Sequence, residues 1–75
     1  MVELKWQKYR KDTGHLLHMT RHKDFSAHIQ KVPGNKFRAF YKRGEVLQSF
    51  SRGSLQAAKN DVNFIYNNLL AGIYN

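Results

Sequence analysis

The apolar residues of this chain change period near Ser54, and that change limits its fold more than any other feature. Before Ser54 apolar and polar residues alternate; after it, apolar residues recur three and four apart. A period of two belongs to strands with one covered face, and a period near 3.6 to a helix lying on something apolar.

Three segments carry the alternation. Val2, Leu4 and Trp6 interleave with Glu3, Lys5 and Gln7. Phe25, Ala27 and Ile29 interleave with Ser26, His28 and Gln30, and Phe37, Ala39 and Tyr41 with Lys36, Arg38, Phe40 and Lys42. Between the last two lies Pro33-Gly34-Asn35, where proline fixes one φ and Gly and Asn tolerate positive values, so a hairpin spanning 25 to 42 is expected. Asp12-Thr13-Gly14 interrupts the chain ahead of it, and residues 15 to 20 read as a further strand. Arg43-Gly44 makes a second turn into residues 45 to 51. There Val46, Leu47 and Phe50 break strict alternation, which predicts a bulge near Gln48.

After Ser54 the stripe runs Leu55, Ala58, Val62, Ile65 and Leu69, flanked by Tyr66, Leu70 and Ile73. Ser54 is the expected N-cap, with Ser51 as the competing choice, since a serine oxygen can accept from an orphan backbone N–H. Burying the stripe contributes on the order of 5 to 15 kcal/mol before entropy. The fold class that follows is α+β: an antiparallel sheet of three to five strands with one C-terminal helix packed on one face. Residues 1–75 read as a single domain, with a basic β region over 1–53 and an amphipathic helix over 54–70.

The sequence has 75 residues, 41% of them hydrophobic and 13% aromatic, a composition of folded domains rather than basic tails. It has no cysteine, so neither a disulfide framework nor a thiolate metal site is open to it. No apolar run approaches the roughly 20 residues of a membrane span, so no membrane role is expected. Thirteen Lys and Arg against five Asp and Glu give a formal charge of +8, and the excess sits entirely before Ser54. Such a charge repels itself, a cost that a polyanionic partner relieves.

If Phe37, Ala39 and Tyr41 face the helix, then Lys36, Arg38, Phe40 and Lys42 project from the other side, joined by His28 and Gln30. Cations there can neutralise phosphates, and an aromatic can stack on a base. Basic loops are expected around the sheet, with Lys8, Arg10 and Lys11 in the first, Arg21 and Lys23 in the second, and Arg43 and Arg52 in turns beside the last strand. The competing reading has Phe40 completing a second small core and the cations simply solvating a surface. His15, His18, His22 and His28 do not form a metal pattern, because no glutamate or cysteine accompanies the His18/His22 spacing. The carboxylates form no acid–base pair and no nucleophile elbow occurs, so neither an enzyme nor a cofactor is expected.

The run Lys36-Phe37-Arg38-Ala39-Phe40-Tyr41, followed by Gly44, Leu47, Phe50 and Leu55 to Lys59, resembles the three-stranded-sheet-plus-helix domains of plant ethylene-response factors. It is similar also to the arm-site-binding domains of tyrosine integrases and to small phage proteins of the same rhythm. The resemblance covers residues 25 to 70 and leaves the first 24 without a counterpart. It implies a sheet laid in the major groove of DNA, with His28, Gln30, Lys36, Arg38, Phe40 and Lys42 on the contacting face. The expectation is therefore a small non-enzymatic nucleic-acid-binding protein, DNA favoured over RNA, monomeric or dimeric. Its expected location is cytoplasmic, in a host cell if a phage encodes it. Six to eight phosphate contacts would give a log K against log salt slope of roughly −5 to −7. The alternative is a protein-interaction module or inhibitor that binds an acidic surface on a host or partner protein, using an aromatic patch of Phe64, Ile73 and Tyr74.

Overall fold

In the computed structural model, residues 3–10, 12 and 16–70 are described, the side chains of Leu69 and Leu70 excepted. Five strands, β1 (Gln7–Arg10), β2 (Leu16–His22), β3 (Phe25–Val32), β4 (Lys36–Arg43) and β5 (Val46–Arg52), are followed by α1 (Leu55–Ile65). The strands form one antiparallel sheet in chain order, β1-β2-β3-β4-β5. Helix α1 lies across one face and continues as a short π-helical turn over Tyr66–Leu70. This is the α+β arrangement that the change of period predicts.

Local chemistry accounts for the corners. Pro33 occupies the first turn position after β3, Gly34 has φ 89 and Asn35 φ 56, conformations that glycine and asparagine adopt at little cost. Gly44 has φ 58 in the two-residue turn joining Arg43 to Val46. Ser54 is extended and its hydroxyl accepts from the Ala57 N–H at 3.1 Å, which makes it, rather than Ser51, the cap of α1.

The core gathers Leu4, Phe25, Ala27, Ile29, Ala39, Ala58, Val62 and Tyr66. The buried line of the helix runs through Ala58, Val62 and Tyr66, so Tyr66 sits at the centre of the packed stripe and Ile65 on its half-buried flank. Tyr66 meets Phe25 edge-on, ring centroids 5.1 Å apart, a favourable aromatic geometry.

Two local expectations are corrected. Residues 3–6 are not a strand, although Leu4 and Trp6 are spaced like one. Instead, the Leu4 N–H donates to Asn63 Oδ1 on α1 at 2.8 Å, and the Lys5 carbonyl accepts the Thr20 hydroxyl at 2.6 Å. The segment thus leans from the sheet onto the helix and buries Leu4 against the core, and strand pairing starts only where Gln7 meets Met19. Val2 lies outside the described residues. Nor does β5 contain a bulge: its pairing with β4 runs unbroken from Arg43↔Val46 to Phe37↔Arg52. Val46 and Leu47 simply stay exposed, at 60% and 63%, because neither face is covered at that corner.

The asparagines near the C-terminus gain a physical role. At the passage from α- to π-helix the Asn67 and Asn68 side-chain amides donate, both at 2.8 Å, to the carbonyls of Asn63 and Phe64 one turn earlier. The Asn63 oxygen also accepts from the Tyr66 N–H, so the amides add donors at carbonyls where the winding widens.

Truncating Ile29 to Ala is expected to cost about 2 to 5 kcal/mol of stability, because the site is closed by both sheet and helix. Ser54→Ala should cost about 1 kcal/mol. Val46→Ala should stay within about 0.5 kcal/mol. Urea denaturation of the three variants checks that order.

Candidate nucleic-acid interface

Strand register assigns every side chain to a face. Residues paired with Phe25, Ala27 and Ile29 share the helix side, and their neighbours share the open side. Two complete rows cross the open side. One reads Gln7, Met19, His28, Phe40, Ser49, and the next reads Tyr9, Leu17, Gln30, Arg38, Ser51. Shorter rows at either end hold Arg21, Ser26, Lys42 and Leu47, and Val32 with Lys36.

At the middle of this face the rings of His28 and Phe40 stack, with centroids 4.8 Å apart and planes 21° from parallel. Both are half-buried, so the pair stands partly out of the sheet. The cross-strand neighbour of Phe40 on β5 is Ser49, whose small side chain adds little bulk beside the ring. Around the stack lie Arg21, Lys36, Arg38 and Lys42, all exposed. Among the described residues these four pair with no carboxylate, and no acidic residue occupies the open side of any strand. Tyr9, 56% exposed, and Met19, 42% exposed, share this face and add apolar surface to it. The sequence pattern did not place these two on the open face, because neither β1 nor β2 shows a clean apolar alternation from which its facing could be read.

The remaining predicted contacts lie elsewhere. Lys8 and Arg10 belong to β1 rather than to a loop, and register places them on the helix side of that edge. Lys23 stands in the turn between β2 and β3 at φ 56. Arg43 and Arg52 are the last residues of their strands and also face the helix side. Arg43 pairs with Asp24, Nε to Oδ2 at 3.5 Å. Arg52 pairs with Asp61 on α1 and lies over the Phe50 ring, 4.7 Å from its centroid. These two guanidiniums have internal partners, whereas the open-face cations do not. Lys11 and His15 lie outside the described residues, as do Ile73 and Tyr74; Phe64, the third member of the expected aromatic patch, is 66% exposed.

The histidines divide by face. His18 is buried under the helix side, His22 meets Tyr66 edge-on at 5.2 Å, and His28 belongs to the open-face stack. Among the described residues no three His, Asp or Glu groups gather as a metal site would require. Burial holds the His18 imidazole below its ordinary 6.5, with the nearby Lys59 and Lys8 charges lowering it further. No helix among the described residues is long and apolar enough to cross a membrane.

Comparison with protein-family models, curated proteins and solved structures finds no match to this chain. Any functional reading therefore stands on the residues of the open face and the charge they carry.

A pH effect follows from His18. Well above 6.5 it is neutral in both folded and unfolded chains and contributes nothing to the pH dependence. Below 6.5 the unfolded chain takes up the proton first, so stability is lost as pH falls from there toward the lower folded value. His18→Gln should flatten that part of a stability-versus-pH curve measured by urea denaturation.

Proposed function

We propose that this protein binds nucleic acid, duplex DNA by preference, through the open face of its sheet, without catalysing a reaction. The observation that supports it best is the stacked His28–Phe40 pair at the centre of a face that carries Arg21, Lys36, Arg38 and Lys42 and no carboxylate. Cations around the rim would neutralise phosphates, while Phe40, His28 and Gln30 would meet sugars or base edges. The sheet-plus-helix domains of integrases and ethylene-response factors, which the sequence resembles between residues 25 and 70, present the same side of the sheet to DNA. A phage source is part of that resemblance and is proposed with it.

The internal pairing of Arg43 and Arg52 lowers the expected number of phosphate contacts. With about four, from the open-face cations, and one more if Lys23 in the β2–β3 turn joins them, the log K against log salt slope becomes roughly −3.5 to −4.5. The same face also suits an acidic protein surface, and the exposed Phe64 offers an apolar contact away from the sheet.

Titration of a labelled duplex and a labelled single strand at low and moderate salt is the test. Arg38→Ala combined with Lys42→Ala should weaken duplex binding and make the slope shallower by about 2. Phe40→Ala should damage single-strand binding more than duplex binding if bases stack there. Micromolar or weaker affinity for both ligands at low salt would sink the proposal. A lysate protein retained after nuclease treatment, with no nucleic-acid binding, would select the protein partner instead.

A further inference from the structure

The sheet ends in two unlike edges. Strand β1 is short and carries Lys8 and Arg10. Strand β5 runs seven residues, and from Val46 to Ser51 it has no charge, no proline and no bulge. Folded proteins usually blunt an exposed edge with those very devices, because its unpaired backbone groups can template another strand. On a chain with a formal charge of +8, the uncharged edge of β5 is where a second, equally charged copy can approach at least electrostatic cost.

The backbone geometry of that edge follows from its turn. A two-residue loop makes Arg43↔Val46 a hydrogen-bonded pair, and alternation along the antiparallel ladder then aims the N–H and C=O groups of Leu47, Ser49 and Ser51 away from β4. The side chains of these three residues point to the open face, and Leu47 is 63% exposed.

We propose that β5 pairs antiparallel with β5 of a second copy of this chain, about a two-fold axis passing beside Ser49. An axis perpendicular to the sheet keeps each residue on its own face, so Ser49 meets Ser49 of the second copy, Leu47 meets Ser51 and Gln48 meets Phe50. In that register all three outward-facing residues enter hydrogen-bonded pairs. Glu45 at one end of the strand comes beside Arg52 of the second copy at the other, whose guanidinium Asp61 also holds, so the ends of the seam bring no like charges together. An acidic peptide has less reason to choose this edge, since the cations that would attract it lie on β1 and on the sheet faces. The two open faces then lie on the same side of one continuous sheet, and both helices lie on the other.

The chain has no cysteine, so one introduced thiol reports the seam cleanly. Paired residues of this kind have Cα atoms about 5.5 Å apart, with Cβ atoms farther apart than the roughly 3.5 to 4.5 Å of a disulfide, a gap that a short bis-maleimide spans. Ser49→Cys should form a covalent dimer with that reagent, and Lys8→Cys on the opposite edge should not. By sedimentation equilibrium without nucleic acid, the unaltered chain should reach the mass of a dimer, more readily as salt screens the like charges. Salt weakens phosphate binding, so the two associations should respond oppositely and can fail separately. Ser49→Pro removes an outward N–H and leaves the ladder to β4 intact, so it should abolish the dimer with an unchanged circular dichroism spectrum. If that variant fails to fold, Leu47→Lys places a charge on the exposed edge and should abolish the dimer likewise. Monomer mass for the unaltered chain at every protein and salt concentration would overturn the proposal. So would the absence of a Ser49→Cys cross-link, or a dimer that survives the folded Ser49→Pro or Leu47→Lys variant.

Discussion

The contact on which the rest of the molecule depends is the seat of α1 on the middle of the sheet. Ala39 on β4 and Ala58 on α1 are fully buried, as are Ile29 and Val62 beside them. Small side chains allow close approach, and the larger neighbours fill the remaining volume to interior density. Among the described residues, α1 and its π-helical continuation are the helical elements packed on the sheet. With one helix to cover one face, the alternate residues of each strand stand on the other side, where Leu17 is buried among its neighbours and the rest set the molecule's surface chemistry.

Those outside residues are not a random sample of the polar ones. Carboxylates lie in turns, in the segment before β1 and on α1, where Asp24 and Asp61 engage Arg43 and Arg52. Exposed pairs of this kind contribute little to stability, typically up to about 1 kcal/mol each. They do remove two guanidiniums from the pool able to meet an external anion, and they leave the uncovered side of the sheet positive. Self-repulsion among Arg21, Lys36, Arg38 and Lys42 is screened by solvent in the free protein and is relieved further by any polyanion laid across them.

Much of this architecture was legible in the residues. The hairpin from β3 to β4 could be read because Phe25, Ala27 and Ile29 on β3 and Phe37, Ala39 and Tyr41 on β4 all obey one parity and share one face, with Pro33-Gly34-Asn35 between them. That single parity also places Lys36, Arg38, Phe40 and Lys42 opposite the helix. Ser54 marked the helix start because its oxygen is the natural acceptor there. Where the reading failed, tertiary contact outranked local pattern. Leu4 and Trp6 are spaced as in a strand, but Asn63 takes the backbone N–H a strand neighbour would have taken. Val46 and Leu47 suggested a bulge only on the assumption that every apolar strand residue is covered. The ion pairs of Arg43 and Arg52 depend on register and on the helix position, neither of which a one-dimensional pattern contains.

The sequential strand order of the sheet also bears on how the chain is made. Each strand pairs with the one just synthesised, only a few residues away in the chain, so the pairings are local and can form early. The apolar cover comes last, since Ala58, Val62 and Tyr66 follow all five strands. While those residues are still inside a ribosome, Phe25, Ile29 and Ala39 have nothing over them. The molecule thus passes through a stage with one cationic face and one bare apolar face, a surface open to chaperones or to neighbouring nascent chains until the helix closes it.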